Sequence, residues 1–155
     1  MGINPKSGEK NMNHTPIEQA ILLAVEAHRG QTDLSGQPYI LHPLRVMMGV
    51  SGEHEQIAGV LHDVVEDTSV TLADLRSMGF PEAAVNAVDC LTKRDGEAYE
   101  EYLSRVEGNP VARAVKLADL ADNMRLDRLS EVTERDLKRM KKYEAAKARL
   151  LAAGL

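Results

Sequence analysis

The sequence predicts an all-α fold, an irregular bundle of about seven or eight helices. Ala, Leu, Met and Glu, which are good helix formers, are plentiful, whereas the aromatic residues that strands favour make up only 3% of the chain. Apolar residues recur at helical spacing along most of the sequence, and no segment has the pattern of a strand. A chain of 155 residues, 43% of them hydrophobic, can bury the core of one domain without disulfides.

Three helices are predicted in the first half of the chain. The first begins at Thr15-Pro16, which joins an N-cap to a first-turn proline, and Glu18 occupies the capping-box position. Its apolar face carries His28, and Gly30 ends it before the turn-rich stretch GQTDLSGQP. The predicted spans are residues 16–29, a helix from Pro43 to near Gly49 and Gly52, and residues 53–67.

Five more helices are predicted in the second half. Thr71 caps a short helix that Gly79 ends, and Asn109-Pro110 opens the long helix that contains VKLADLADNMRL. Thr133 with Asp136 caps a charged final helix. The remaining predicted limits are Pro81 to Leu91 for one helix, Glu97 to Val106 for the next, and about Ala153 for the end of the last.

Composition limits the domain count, the compartment and the partners. No repeat, low-complexity tract or long linker divides the chain, so we expect residues 1–15 to be a flexible N-terminal segment and residues 16–155 to be one domain. The formal net charge of -5 argues against nucleic acid or an anionic membrane as a partner. The single Cys90, and the lack of any apolar run of roughly 18 residues, favour a cytoplasmic protein.

The stretch LHDVVEDT sets four ionisable groups within an apolar helical pattern. On a helix His62 and Glu66 are four apart, as are Asp63 and Asp67, so the four side chains form one compact polar patch. The last turn of a helix disfavours anions by roughly 0.3–1 kcal/mol each. Either a cation offsets the two acids at the helix end, or the stretch is a solvated acidic end with a chance histidine.

Two further positions are candidates for a site that binds a cation. His42 lies at the edge of a predicted helix, where a histidine can cap the helix, pack in the core or serve as a ligand. Asp119 and Asn123 lie on a stripe beside an apolar helix face. A partly buried Asp needs a partner, which is either a metal ion or a structural cation such as Arg125 or Arg128.

A divalent metal ion would unite these positions. The nitrogen and oxygen donors of two histidines and two aspartates suit Mn, Fe, Zn or Mg. The set is His42, His62, Asp63 and Asp119. Such an ion lowers the pKa of water toward neutrality, and Glu66 or Asp67 could then accept a proton from that water.

Five motifs, in their order and spacing, resemble the HD superfamily of metal-dependent phosphohydrolases. Within that superfamily they are most similar to the hydrolase domain of RelA/SpoT-type enzymes and to the small single-domain alarmone hydrolases. The motifs are AHRGQ, PYILHP, VLHDVVEDT, LTK and VKLADLADNMR. The resemblance extends from about Ile17 to Leu150, which is nearly the whole chain.

The resemblance implies the helical HD-domain fold and a metal-dependent hydrolysis. The family reaction removes the 3′-pyrophosphate of (p)ppGpp and gives GDP or GTP plus pyrophosphate, usually with manganese. In this chain the implied catalytic acids are Glu66 and Asp67, and Asn123 matches the asparagine that contacts the ribose region. The implied metal ligands are His42, His62, Asp63 and Asp119.

Departures from the family pattern concentrate where the substrate would lie. Asp33 and Leu34 stand where the family has an Arg-Lys pair that packs against guanine. After the metal aspartate the family continues with Arg, Leu, His and Asn, whereas this chain has Leu, Ala, Asp and Asn at residues 120–123. The predicted substrate contacts are Asn123, Lys116, Arg29 and Ser35. Other cations next to the motifs that could hold phosphates are Arg45, Lys93, Arg94 and Arg125.

Two alternatives remain open at the level of sequence. The same chemistry could act on another nucleotide or a small phosphate ester, or the domain could be a catalytically idle nucleotide binder. Intact Glu66 and Asp67 argue against an idle domain. His28 is either an outer partner of the metal site or a core histidine, and the final helix is expected to serve packing or the interface of a homodimer.

Overall fold

The computed structural model describes residues 13–125 and 129–154. Within these ranges the only extended pairing is a single antiparallel bridge between Thr32 and Pro38, which confirms the all-α prediction. Residues 1–12 of the predicted N-terminal segment, and Leu126 and Arg128, lie outside the described residues. The helical segments are α1 Pro16–Ala27, α2 Leu41–Met48, α3 Glu53–Leu61, α4 Val64–Asp67, α5 Leu72–Ser77, α6 Glu82–Leu91, α7 Tyr99–Glu107, α8 Pro110–Asn123 and α9 Glu134–Ala153.

Capping side chains begin the helices as the sequence predicts. Thr15 forms a capping box with Glu18 at α1, and Thr133 forms one with Asp136 at α9. Asn109 accepts from the third amide of α8, directly before its first-turn proline. None of the helices in the described ranges is both long and apolar enough to cross a membrane. Dimerisation through α9 stays a prediction.

Helix α3 lies at the centre of the bundle and packs against α1, α2, α6 and α8. Its last five residues, from Ile57 to Leu61, are all buried. A Cβ on Gly59 would meet the backbone Cα of Met47 at 3.2 Å, so this glycine lets α2 approach α3 closely. Between the same two helices, the ring of His42, at the start of α2, lies 5.2 Å from the ring of His62, which directly follows α3.

The predicted continuous helix over residues 53–67 is wrong, because the chain turns at His62 and Asp63 between α3 and α4. The His62 ring explains the break: its Nδ1 lies 2.6 Å from the carbonyl oxygen of Gly59, which a continuous helix would pair with the Asp63 amide. Periodicity misses this break because the apolar pattern runs straight through it.

The predicted start of α2 at Pro43 is also wrong by two residues, since the helix begins at Leu41. Proline is tolerated throughout the first turn, where amides have no intrahelical partner. His42 therefore lies within the first turn of α2 and not before the helix. Helix α1 ends at Ala27, two residues before the predicted end, and His28 is its C-cap. Helix α7 spans Tyr99–Glu107, whereas the sequence predicted residues 97–106.

A carboxylate and an arginine hold the connection between α6 and α7. Their contact predicts a stability that depends on pH. Arg105 donates to both oxygens of Glu97, at 2.8 and 2.7 Å, and hydrogen bonding by Arg105 lowers the pKa of Glu97 from 4.5 to about 2. A lowered folded-state pKa stabilises the protein above the unfolded pKa, and this stability is lost as the pH falls toward 2. We expect wild type to exceed Glu97→Gln in free energy of unfolding at pH 7, with the difference vanishing between about pH 5 and pH 2.

Urea unfolding of both proteins at several pH values measures this difference. Glu101→Gln, on the exposed face of α7, controls for the loss of one negative charge. A difference that stayed constant from pH 7 to pH 3 would show that the Glu97 carboxylate does not act through its charge.

Candidate metal centre and active site

The four predicted metal ligands meet at one point, where α2, the α3–α4 turn and α8 come together. His42 Nε2 lies 2.9 Å from Asp119 Oδ1, and His62 Nε2 lies 3.3 Å from the same oxygen. Asp63 Oδ2 lies 3.0 Å from His62 Nε2 and 3.8 Å from His42 Nε2. His42, His62 and Asp119 are each at most 5% exposed, so this polar cluster is built into the core.

Both histidines direct the same ring nitrogen into the cluster. His62 is held through Nδ1 by the carbonyl of Gly59 at 2.6 Å, and His42 is held through Nδ1 by Asp122 Oδ2 at 2.6 Å. An acceptor at Nδ1 keeps a proton there, so Nε2 is the nitrogen that a neutral ring would offer to a metal. Both Nε2 atoms therefore face the two aspartates, and a cation bound there would replace the Nε2 proton of each ring.

A divalent cation fits this donor set. Among the described residues, buried His62 Nε2 has no hydrogen-bond partner, although two carboxylate oxygens surround it. Donor atoms of His42, His62 and Asp119 all lie within 4.8 Å of one another. Ligands about 2.1 Å from a common ion lie about 3–3.5 Å apart, close to the spacing here. The triad can hold a divalent metal, and Asp63 is placed to join it.

The charges of the cluster favour cation binding by the aspartates. Burial by itself would raise the pKa of Asp119, but the Lys116 ammonium and His62 hold that pKa well below its usual range. Burial also acts to raise the pKa of Asp63, and His62 outweighs it, so that pKa is lowered. Both side chains are therefore carboxylates, the form that binds a cation.

Two of the predicted substrate contacts also hold Asp119 in place. Lys116 Nζ donates to Asp119 Oδ2 at 2.8 Å, and its ammonium lies 5.4 Å from the ring centroid of Tyr102. Asn123 Nδ2 donates to Asp119 Oδ1 at 3.1 Å. The partner that buried Asp119 requires is thus Lys116, which lies one helical turn before it on α8. The sequence suggested a metal ion or one of two arginines that follow Asp119 as this partner, and it did not suggest Lys116.

Two contacts to the ligand set were missed from sequence. Tyr39 donates its hydroxyl to Asp63, and its ring lies 4.9 Å from the ring of buried His28, whose Nδ1 is 3.0 Å from Gln31 Oε1. Asp122 holds His42, as described above. Its spacing of three residues from Asp119, on the same side of a helix, is the signal that could have revealed it.

Glu66 and Asp67 lie beside the cluster, at the exposed end of helix α4. Partial burial raises the pKa of each acid most, and the negative charge of Asp63 raises it further. Because the chain turns before them, both acids belong to a separate one-turn helix, so the expected penalty from the C-terminus of a long helix does not apply. Glu66 Oε1 accepts the Lys93 amide at 3.2 Å, which fixes this acid beside the LTK motif.

A recess of about 140 Å³ opens next to His42. Its lining residues come from the loop before α2, the end of α8 and the middle of α9: Asp33, Leu34, Ser35, Tyr39, His42, Asn123, Arg125, Leu129, Arg139, Met140 and Tyr143. Predicted contacts Ser35 and Asn123 are among them. Arg29 is not, and its exposed side chain lies 3.5 Å from Glu26.

The loop that borders the recess is organised by Asp33. Its Oδ1 accepts from the Ser35 amide at 2.9 Å, the Ser35 hydroxyl at 2.8 Å and the Gln37 amide at 2.9 Å. Leu34 is 74% exposed at the rim. Asp33 therefore has a structural role in the loop at a position where the family pattern has a cation.

Known proteins with similar sequences are much longer than this chain. The GTP pyrophosphokinase of Streptomyces coelicolor is 39% identical over 147 residues, which cover 86% of the chain and 16% of that protein. The bifunctional (p)ppGpp synthase/hydrolase SpoT of Escherichia coli is 32% identical over 124 residues, which cover 70% of the chain and 18% of that protein. The chain is homologous to part of the RelA/SpoT-type (p)ppGpp enzymes. It spans less than a fifth of the length of these curated relatives.

A structural comparison gives the fold of this RelA/SpoT homologue. The solved structure of a metazoan SpoT ortholog that hydrolyzes ppGpp matches it with a TM-score of 0.74 and 23% identity. The match covers 88% of this chain and 85% of that one, and the shared architecture is the HD-domain fold. No family model matches the chain.

Proposed function

We propose that the chain is a metal-dependent phosphohydrolase, and specifically a guanosine-3′,5′-bis(diphosphate) 3′-pyrophosphohydrolase. The observation that carries the proposal is the convergence of buried donors from His42, His62 and Asp119 next to the exposed acids Glu66 and Asp67. Relatives in Escherichia coli O157:H7 and Aquifex aeolicus bear the name of this activity. Their similarity to the chain supports the choice of substrate.

Four residues would hold the metal in this proposal: His42, His62, Asp63 and Asp119. Two nitrogen and two oxygen donors suit manganese, and they also tolerate iron, zinc or magnesium. The chemistry that a divalent ion supplies in such a site is Lewis acidity, which lowers the pKa of water and polarises a phosphoryl oxygen.

Glu66 and Asp67 would act as the proton acceptors of the hydrolysis. Their raised pKa values bring them closer to the working pH than an ordinary carboxyl group, which favours general base catalysis. During the reaction a water oxygen bonds to the phosphorus next to the 3′ oxygen, and the bond between that phosphorus and the 3′ oxygen breaks. Glu66 or Asp67 takes a proton from the water, the same acid then returns that proton to the 3′ oxygen, and pyrophosphate leaves.

The surroundings of the centre fit a phosphorylated nucleotide. The recess that includes Asn123 and Ser35 lies on the His42 side, and a second cleft that includes Lys93 and Arg94 lies on the Glu66 side. The base and ribose would occupy the first, and phosphates would meet the cations of the second. Arg139 and Arg125, at the wall of the recess, supply positive charge on the base side.

A second candidate substrate is another nucleotide or a small phosphate ester. Asp33 and the exposed Leu34 favour it, because neither offers the cation that would pack against guanine. The metal centre and both acids would serve that reaction equally well. The two candidates therefore differ only in what the recess binds.

The test is to load the purified protein with Mn²⁺ and offer (p)ppGpp, GTP, GDP, ATP and a simple phosphate ester separately, while pyrophosphate and orthophosphate are both measured. We expect pyrophosphate from (p)ppGpp. Glu66→Gln, prepared identically, is the control for contaminating hydrolases. Orthophosphate from another nucleotide would favour the second candidate, and no release from any substrate would overturn both.

A further inference from the structure

Asp122 lies between His42 and Arg45 and contacts both. Its Oδ2 is 2.6 Å from His42 Nδ1, while Arg45 Nε donates to Oδ1 at 2.6 Å and Arg45 Nη2 donates to Oδ2 at 3.1 Å. Asp122 is only 6% exposed. The Arg45 guanidinium therefore fixes both oxygens of a buried carboxylate, which fixes the histidine ring in turn.

Helix α8 holds the His42 ring from both sides. Asp119 faces Nε2 at 2.9 Å, and Asp122, one turn later on the same helix, faces Nδ1. A ring held at both nitrogens cannot rotate or exchange its two nitrogens.

We propose that Asp122, held by Arg45, is a positioning residue that sets the metal affinity of the site through His42. The inference rests on the metal centre of the proposed function. A carboxylate at Nδ1 fixes the tautomer and makes Nε2 a stronger ligand, and loss of such a partner weakens metal binding by about 10–100-fold. Arg45 acts only through Asp122, because it donates to that carboxylate and not to the His42 ring.

The test is a Mn²⁺ titration of metal-free protein by calorimetry, well below the unfolding temperature of each variant. We expect the Kd to rise about 10–100-fold in Asp122→Ala. Asp122→Asn keeps an oxygen that accepts from Nδ1 without the charge, so its Kd should lie between those of wild type and Asp122→Ala. Arg45→Ala should weaken binding less than Asp122→Ala.

The matched control is Glu97→Ala, which removes another carboxylate that binds an arginine through two hydrogen bonds but belongs to the α6–α7 connection. It should lower the free energy of unfolding and leave the Mn²⁺ Kd unchanged. If Asp122→Ala does not fold, Asp122→Asn and Arg45→Ala carry the same comparison.

The outcomes separate this inference from the proposed function. Wild-type Mn²⁺ binding, together with a Kd of Asp122→Ala within twofold of wild type, would overturn the inference alone; if that variant does not fold, a Kd of Asp122→Asn no higher than that of wild type has the same meaning. The expected order of Kd values in a protein that hydrolyses no nucleotide would support the inference and overturn the proposed function. Wild-type protein that bound no Mn²⁺ would overturn both.

Discussion

Asp119→Asn is expected to abolish Mn²⁺ binding and hydrolysis together. Asp119 Oδ1 lies within 3.3 Å of the Nε2 atoms of both His42 and His62, so it is the oxygen around which the donor set is built. A neutral amide of the same size keeps the packing but loses the negative charge that a cation requires. Metal content by mass spectrometry after dialysis, and pyrophosphate release, are the two measurements.

This substitution also removes the counter-charge of Lys116, whose side chain is only 12% exposed. Breaking a buried ion pair at one partner costs about 3–5 kcal/mol in the free energy of unfolding. The double variant Asp119→Asn with Lys116→Met removes the unpaired ammonium, so it should recover stability without recovering metal. Full metal occupancy in either variant would show that the ligand set is wrong.

Glu66→Gln is expected to lose activity and keep the metal. Removal of a general base typically costs about 10²–10⁴-fold in rate. The amide oxygen of Gln can still accept the Lys93 amide, so the position of the side chain should be preserved. Rate constants under saturating substrate, together with the Mn²⁺ Kd, separate this role from ligation.

Asp67→Asn is the companion to this variant, since Asp67 lies beside Glu66 on α4 and also has a raised pKa. The acid that accepts the proton should show the larger loss of rate. A tenfold or greater loss of Mn²⁺ affinity in Glu66→Gln would instead place Glu66 among the metal ligands.

The sequence predicted the helices well where local chemistry determines them. Thr15, Asn109 and Thr133 cap their helices through their own side chains, which depends only on neighbouring residues. The break after Leu61 was not predictable in this way, because it arises when the His62 ring takes the Gly59 carbonyl. The apolar periodicity does not show that a side chain will compete with a backbone amide for a carbonyl oxygen.

The convergence of His42, His62 and Asp119 was predictable because buried residues of these types have few other uses in a core. Buried His42, His62 and Asp119 each need a polar partner, and a shared cation satisfies all three. Their supporting contacts depend on which helices lie side by side, and the sequence does not state this. The contacts of Lys116 with Asp119 and of Asp122 with His42 were therefore not predictable from sequence.

The loop from Asp33 to Gln37 illustrates the same limit on the substrate side. Replacement of two expected cations suggested a change in recognition, and the structure adds that Asp33 accepts three hydrogen bonds from its own loop. The Asp33 carboxylate, at a position where a side chain could have met a base, thus holds the loop in its fold.

The most direct test of the proposed metal-dependent hydrolase is to titrate Mn²⁺ into chelator-treated wild-type protein while pyrophosphate release from (p)ppGpp is followed. We expect no release without metal, a rate that rises in step with Mn²⁺ occupancy and saturates at one ion per chain, and a return to zero with excess chelator. Release at an unchanged rate in the presence of chelator, or no release at full occupancy, would contradict the proposal.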